Sequence, residues 1–317
     1  MDNNPIAVVS YVLTTLSLFA ITHCTLVIDR TNWQYGSIYY NLFVLSAVWN
    51  DISIPLYWVN IDNKGGNSSS EQRIALMHWF ITNFPSITID YLLADREFPS
   101  QEFISWLSQN KIKFIFRSKS SVLVTDDDKR VRISTICKNI HNHPNQTKAE
   151  SHIRRIYNSR LYATIRKNQQ DENVYIISNS FQDNSADTYR KRWTIEAMFA
   201  KFKTKGFNLE STRLMKANRL VSLFMFMAIA YCYCCKLGEI GNNLKPTKLK
   251  KLKHNNHIRI TKEYSIFNRG ADLLKILLDN YLSYSAVIFK QLSRILSLPP
   301  NTCLDRRLAI IKIIKIR

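Results

Sequence analysis

Glycine is scarce in this chain, 7 residues in 317, and neither an internal repeat nor a low-complexity tract is present. With 46% hydrophobic and 12% aromatic residues, that describes a folded protein with a substantial core, long enough for one large or two modest domains. Cysteines number six, at positions 24, 137, 232, 234, 235 and 303. They lack the framework of a small extracellular domain, which points to a reducing compartment. Acidic residues are scarce and unevenly spread. Residues 1–100 hold 4 Lys/Arg and 8 Asp/Glu, a net of −4, whereas residues 101–317 hold 40 and 16, a net of +24. So large a basic excess suits a protein that meets a polyanion, nucleic acid first and an anionic membrane surface second.

No basic residue precedes the apolar run Ile6–Ile28, as a secretory signal would require. The run is long enough to span a bilayer, but polar Ser, Thr and His interrupt it, and its end, Thr25–Ile28, reads as a buried strand. A second apolar run, Leu220–Cys235, is short for a span and reads as a core helix. It contains Cys232-x-x-Cys235, with His254-x-x-His257 further on. Thiols within an apolar run read as small buried side chains, and the lysine-rich link between the pairs is unlike a zinc knuckle.

The elements expected along the chain alternate in type. Tyr39–Trp49 and Ile52–Ile61 form a hairpin about Asn50-Asp51, and Asn63–Ser70 is a loop. Glu71–Phe84 is a helix closed by Pro85, Ile87–Leu93 a strand, Ser100–Gln109 a helix and Lys111–Arg117 a strand. This is a mixed α/β layer. Residues 119–178 break the pattern with short β-like pieces, as an insertion would. One helix then runs from an N-cap among Ser185–Asp187 to Gly206. A lysine-rich stretch follows Cys235, and helical periodicity returns in Asp272–Leu282 and the last thirty residues.

The helix after the insertion carries Tyr189, Arg192, Glu196 and Lys203. At about 100° per residue these fall on one narrow stripe, while Ile195, Met198, Phe199 and Phe202 gather on an adjacent arc suited to a core. A carboxylate among cations on one face suits metal-dependent chemistry on a phosphate backbone; the plainer reading is a solvated charged face. Asp29 and Asp95 each follow a buried strand. Either one alone reads as a loop cap. Together with Glu196 they form a set of oxygen donors suited to Mg²⁺ or Mn²⁺.

Three segments, Asp29-Arg-Thr-Asn-Trp33, Ala94-Asp-Arg-Glu-Phe98 and Tyr189-x-x-Arg192-x-x-x-Glu196 with Lys203 beyond, resemble the acidic motifs of DDE transposases. The third is similar to the tyrosine–arginine–glutamate–lysine motif of the insertion-sequence-four group. Gly206-Phe-Asn-Leu-Glu210 and Ser265-Ile-Phe-Asn-Arg-Gly270 are also similar to segments of that group. The resemblance covers roughly residues 25–282 and implies an RNase H-like mixed sheet flanked by helices, with a mostly β insertion before the last catalytic helix and a helical C-terminal region. The implied organisation is an apolar N-terminal remnant at 1–24, core at 25–118, β-rich insertion at 119–178, core with the catalytic helix at 179–235, and a basic helical region at 236–317.

The resemblance also implies that Asp29, Asp95 and Glu196 hold two Mg²⁺ or Mn²⁺ ions for DNA strand cleavage and transfer at transposon ends. Tyr189, Arg192 and Lys203 would contact phosphates. Arg30 and Arg96 are candidates to brace the carboxylates or touch phosphate. Glu97 is a spare carboxylate, and Trp193 could stack on a distorted base or fill a core. The implied partners are double-stranded DNA, both transposon ends and target, and a second copy in a synaptic dimer, with no membrane. The implied compartment is the bacterial cytoplasm, at the nucleoid. Related transposases carry a recognition region before the first aspartate motif, whereas only 28 residues precede Asp29 here, apolar rather than basic in character. A truncated, inactive copy or a non-catalytic DNA-binding and dimerising remnant is therefore an alternative, and a membrane-associated basic protein is another.

Overall fold

The computed structural model describes residues 5–35, 37–61, 66–126, 129–135, 152–167, 172–181, 185–212, 214, 216–254 and 257–279. The chain divides into two units, one of residues 1–9 and 22–217 and the other of residues 10–21 and 218–317.

The first unit is built on three consecutive antiparallel strands, β1 (His23–Tyr35), β2 (Ile38–Trp49) and β3 (Ile52–Asn60). The β2–β3 turn falls on Asn50 and Asp51, whose φ of 44° and 60° are left-handed, the conformation a two-residue hairpin demands and short polar side chains tolerate. Pro55, which has no N–H, lies on β3, where edge strands admit it. Helix α2 (Ser70–Asn83) starts at a capping box in which the Ser69 hydroxyl accepts from the Gln72 N–H and the Gln72 side chain accepts from the Ser69 N–H. It leads to β4 (Thr88–Ala94), and α3 (Gln101–Gln109) leads to β5 (Phe114–Ser118). Both β4 and β5 run parallel to β1. The order β3-β2-β1-β4-β5, with only β2 opposed to β1 between β3 and β4, is the RNase H-like sheet. Parallel strands covered on both faces need continuous apolar sequence, and Leu26–Ile28 and Leu92–Ala94 are fully buried.

The β-rich segment that follows is not a separate layer. Strands β6 (Leu123–Asp126), β7 (Lys129–Arg132), β8 (His152–Ile156), β9 (Ser159–Lys167) and β10 (Asn173–Ser178) continue the same sheet, in the order β5-β10-β9-β8-β6-β7. All of these added pairings are antiparallel. The span Ile153–Ile165, one β-like piece in the sequence, is two strands reversed at Tyr157-Asn158, both at positive φ.

After β10 the expected single helix is two, α4 (Ser185–Arg190) and α5 (Trp193–Lys203). Between them the Arg192 N–H donates to the Tyr189 carbonyl and the Thr194 N–H to that of Lys191. These bonds span three residues and tighten the chain locally. Ile195, Met198, Phe199 and Phe202 form the buried face of α5, as their spacing requires.

In the second unit, α6 (Ala217–Leu244) is longer at both ends than the apolar run that marks it in the sequence. By length and composition its Arg219–Leu244 portion is long enough to cross a membrane, which corrects the expectation that this run is too short. Of its most apolar window 56% is buried, as in the core helix of a soluble protein. The other long apolar run, Ile6–Ile28, is not one helix. Helix α1 (Pro5–Leu18) ends and β1 begins at His23, and 14 helical residues reach only about 21 Å against roughly 30 Å of hydrocarbon. Cys232 and Cys235 are buried in α6, and the Cys232 sulfur lies 3.9 Å from the Tyr11 hydroxyl.

The lysine-rich stretch beyond α6 is not helical. It forms an antiparallel hairpin, β11 (Leu249–His254) and β12 (His257–Lys262), followed by α7 (Ile266–Asp279). A Cβ on Gly270 would stand 1.6 Å from the Cys234 carbonyl oxygen, and one on Gly238 would stand 1.8 Å from that of Ile266. Two of the few glycines thus let α6 and α7 meet backbone to backbone. The side chains of His254 and His257 and the last thirty residues lie outside the described residues.

Leu26 is fully buried in the centre of the sheet, whereas Leu123 near its far edge is 53% exposed. Leu26→Ala should cost about 2–5 kcal/mol and Leu123→Ala less than about 1 kcal/mol. Urea unfolding of the two variants checks the contrast.

Candidate active site

Strand register brings the aspartates together. Ile28 of β1 pairs with Ala94 of β4 in a parallel ladder, so Asp29 and Asp95 each follow one member of the same cross-strand pair. Asp95 follows its strand, as expected. Asp29 does not: β1 continues to Tyr35, because β2 supplies an antiparallel partner out to that residue. Ordinary strand ladder, not a loop, therefore holds Asp29.

Helix α5 lies over this end of the sheet, and the Thr194 hydroxyl is 2.7 Å from that of Ser53 on β3. Glu196 faces the aspartates across a cleft of about 510 Å³, whose lining includes Asp29, Asp95, Glu196, Arg192, Lys203 and Glu210. Arg192, at the break between α4 and α5, is buried between the carboxylates. Its Nη1 donates to Asp29 Oδ2 at 2.9 Å and its Nη2 to Glu196 Oε1 at 2.5 Å. Its guanidinium also lies 5.8 Å from the ring centres of Tyr189 and Trp193. The Tyr189 hydroxyl donates to Asp95 Oδ1 at 3.3 Å.

Electrostatics follow from this crowding. Burial, with repulsion from Asp95 and Glu196, lifts Asp29 from 3.8 to about 7, against the opposing pull of Arg192 and of the Arg30 N–H. Burial works against the Arg192 charge, but Tyr189, Asp29, Asp95 and Glu196 outweigh it and hold the guanidinium firmly protonated. Burial also pushes the Tyr189 phenol upward, so it remains a donor.

The other candidates separate by what they touch. The Arg30 guanidinium is engaged: it grips Glu97 bidentately at 2.6 and 2.7 Å and donates to Asn41 Oδ1 and to the Gly66 carbonyl. It braces the β1 and β4 ends together, while its N–H donates to Asp29 Oδ1 at 2.8 Å. Lys203 donates to the Asn32 carbonyl and pairs with Glu210, both at 2.9 Å. Arg96 is exposed. Trp193 is 63% exposed, which rules out its filling a core. Glu97, the spare carboxylate, is taken up by Arg30, and two residues not singled out as site residues belong to this neighbourhood: Glu210 and Arg117, whose Nη1 is 3.8 Å from Asp95 Oδ1. For Arg117 the sequence offers only a basic residue near the end of an apolar strand.

The donor set suits a divalent cation. It consists of hard oxygen ligands from three elements, one of them poised near neutrality by its neighbours. A positive charge already bridges two of them, and the Arg192 Nε is buried without a hydrogen-bond partner among the described residues. Among those residues no three His, Cys, Asp or Glu are gathered closely enough to hold one ion, because the guanidinium occupies the space between Asp29 and Glu196.

Sheet order defines an RNase H-like fold, in which Asp29, Asp95 and Glu196 line one cleft. The family follows from the sequence match: the Transposase DDE domain profile matches residues 21–233, more than half of the chain, and the chain belongs to that family. No curated protein matches the chain. Among solved structures, the piggyBac transposase synaptic complex with hairpin DNA is 12% identical with a TM-score of 0.43, over 93% of this chain and 57% of that one. A simian T-cell lymphotropic virus intasome in complex with PP2A regulatory subunit B56 gamma is 16% identical (TM-score 0.25, 40% of this chain and 45% of that one). Marinitoga piezophila Argonaute in complex with 5′ OH guide RNA is 12% identical (TM-score 0.25, 55% and 26%). The chain thus spans just over half the length of the piggyBac chain.

A group with a raised pKa favours the folded state at low pH, and that contribution is lost as pH rises through its folded value. In metal-free protein, the stability of Asp29→Asn relative to wild type should therefore increase between pH 5 and pH 8, by on the order of 1–4 kcal/mol. Chemical denaturation across that range measures it. A flat difference would mean that Asp29 is ionised throughout.

Proposed function

We propose that this chain is a transposase of the insertion-sequence-four type that cuts DNA at transposon ends and joins the freed ends to target DNA. The observation that carries the reading is the convergence of Asp29, Asp95 and Glu196, from β1, the end of β4 and α5, on one cleft beside Arg192 and Lys203. Asp29, Asp95 and Glu196 would hold two Mg²⁺ or Mn²⁺ ions. Such ions supply activation of a water or 3′-hydroxyl and stabilise the leaving oxygen in phosphoryl transfer.

The chain's own residues do the rest. Arg192, which bridges Asp29 and Glu196, has a planar fork that would hold a phosphate. Lys203 neutralises a second phosphate as a point charge. Tyr189 keeps its proton and orients Asp95 or a phosphate oxygen, and exposed Trp193 offers a stacking face for a base. Arg30, held by Glu97, fixes the spacing of the two aspartates. Exposed Arg96 is free to reach the backbone. On this reading the protein works in the bacterial cytoplasm on double-stranded DNA, as a dimer that pairs two ends.

Purified protein given duplexes that carry the DNA flanking its gene should cleave or join them only with Mg²⁺ or Mn²⁺. Asp29→Ala and Glu196→Ala should bring the reaction to background. Arg192→Ala with Lys203→Ala should weaken DNA binding about tenfold and lower its salt slope by about two. Full activity in either carboxylate variant overturns the assignment. DNA binding by the wild type without metal-dependent cleavage would instead support the non-catalytic remnant.

A further inference from the structure

The acidic cleft leaves unused the most basic stretch of the chain. Residues 245–262 contain seven Lys/Arg and no Asp or Glu, and they form the β11–β12 hairpin of the second unit. Six residue pairs, from Leu249↔Lys262 to His254↔His257, hold its ladder. Its base is fixed: the Glu263 N–H donates to the Lys248 carbonyl at 2.8 Å, the Thr247 N–H to Asn242 Oδ1 at 3.0 Å, and Arg269 Nη1 to Thr247 Oγ1 at 2.8 Å. Lys245, Lys248, Lys250, Lys251 and Lys262 are exposed, and so are Leu249 and Ile260.

So much like charge on a short ribbon repels itself, a cost that is offset when a polyanion lies against it. The distribution decides which polyanion. Strand alternation puts Lys250 on one face and Lys251, opposite Ile260, on the other. A membrane-surface element segregates its charges from an apolar face; this ribbon carries lysine on both. A two-stranded ribbon enters the roughly 12 Å major groove of B-form DNA, where both faces meet phosphate walls. The deep, narrow groove of duplex RNA excludes it.

We propose that the β11–β12 hairpin is a second nucleic-acid-binding element of this chain, which grips duplex DNA by its phosphates. The choice of DNA rests on the transposase reading; the binding itself requires no catalysis.

The test uses the full chain with EDTA and a random-sequence duplex, measuring fluorescence anisotropy between 50 and 200 mM salt. Replacing Lys248, Lys250, Lys251 and Lys262 with Gln should lower affinity at least about tenfold and reduce the log–log salt slope by about 2–4, with circular dichroism unchanged. Replacing the same four with Arg should retain binding. Unchanged affinity and slope in the Gln variant overturns the proposal, as does equal loss in the Arg variant, which would reveal a structural role. Capture of wild type on phosphatidylserine vesicles, lost in the Gln variant while DNA affinity stays constant, overturns it in favour of a membrane. Because binding is read in EDTA, where no metal-dependent cleavage runs, a failure of cleavage and a failure of the hairpin are read separately.

Discussion

Everything in the cleft answers to one electrostatic constraint: carboxylates on adjacent parallel strands cannot both be ionised in a half-buried space without a positive charge between or beside them. The ladder sets Asp29 and Asp95 side by side, and packing of α5 brings Glu196 over them. Arg192 resolves the conflict by bridging Asp29 and Glu196, while Tyr189 and Arg117 attend to Asp95. Even so, Asp29 is held near neutrality rather than as a firm anion. A cleft of this kind favours protons and guanidinium when nothing else is present, and small hard cations when they are.

The break in the helix makes this bridging possible. On an unbroken helix Arg192 would stand one turn from Glu196 along a solvated stripe. The tightened turn at Lys191-Arg192 draws the guanidinium inward, where it is buried against two carboxylates and flanked by two rings. Arg30 serves the same end by different means. Its fork is locked onto Glu97, so the β1 and β4 ends are tied by an ion pair as well as by their ladder.

Local signals in the sequence carried much of the sheet and the buried face of α5. Asn50-Asp51 between aromatic runs marks a hairpin because both turn residues need left-handed φ, and the apolar arc from Ile195 to Phe202 marks a core face because only helical spacing unites it. What escaped was set by partners distant in sequence. Asp29 lies within a strand, not beyond it, because β2 is long enough to pair with β1 as far as Tyr35. The break at Arg192 has no glycine or proline to announce it. Arg117 acquires its role only through Asp95. The lysine-rich stretch names no element by itself; cross-strand pairing makes it a hairpin.

One feature of the sheet bears on how the molecule can move. Because β10 pairs directly with β5 from Tyr175↔Ser118 to Ser178↔Ile115, the β-rich segment joins the central strands by an unbroken ladder of backbone hydrogen bonds. It therefore has no hinge at that seam. Tension applied to β9 or β10 passes straight into β5 and on to β4, the strand that Asp95 follows. Opening the seam would mean tearing hydrogen bonds in sequence, a local unfolding rather than a swinging gate.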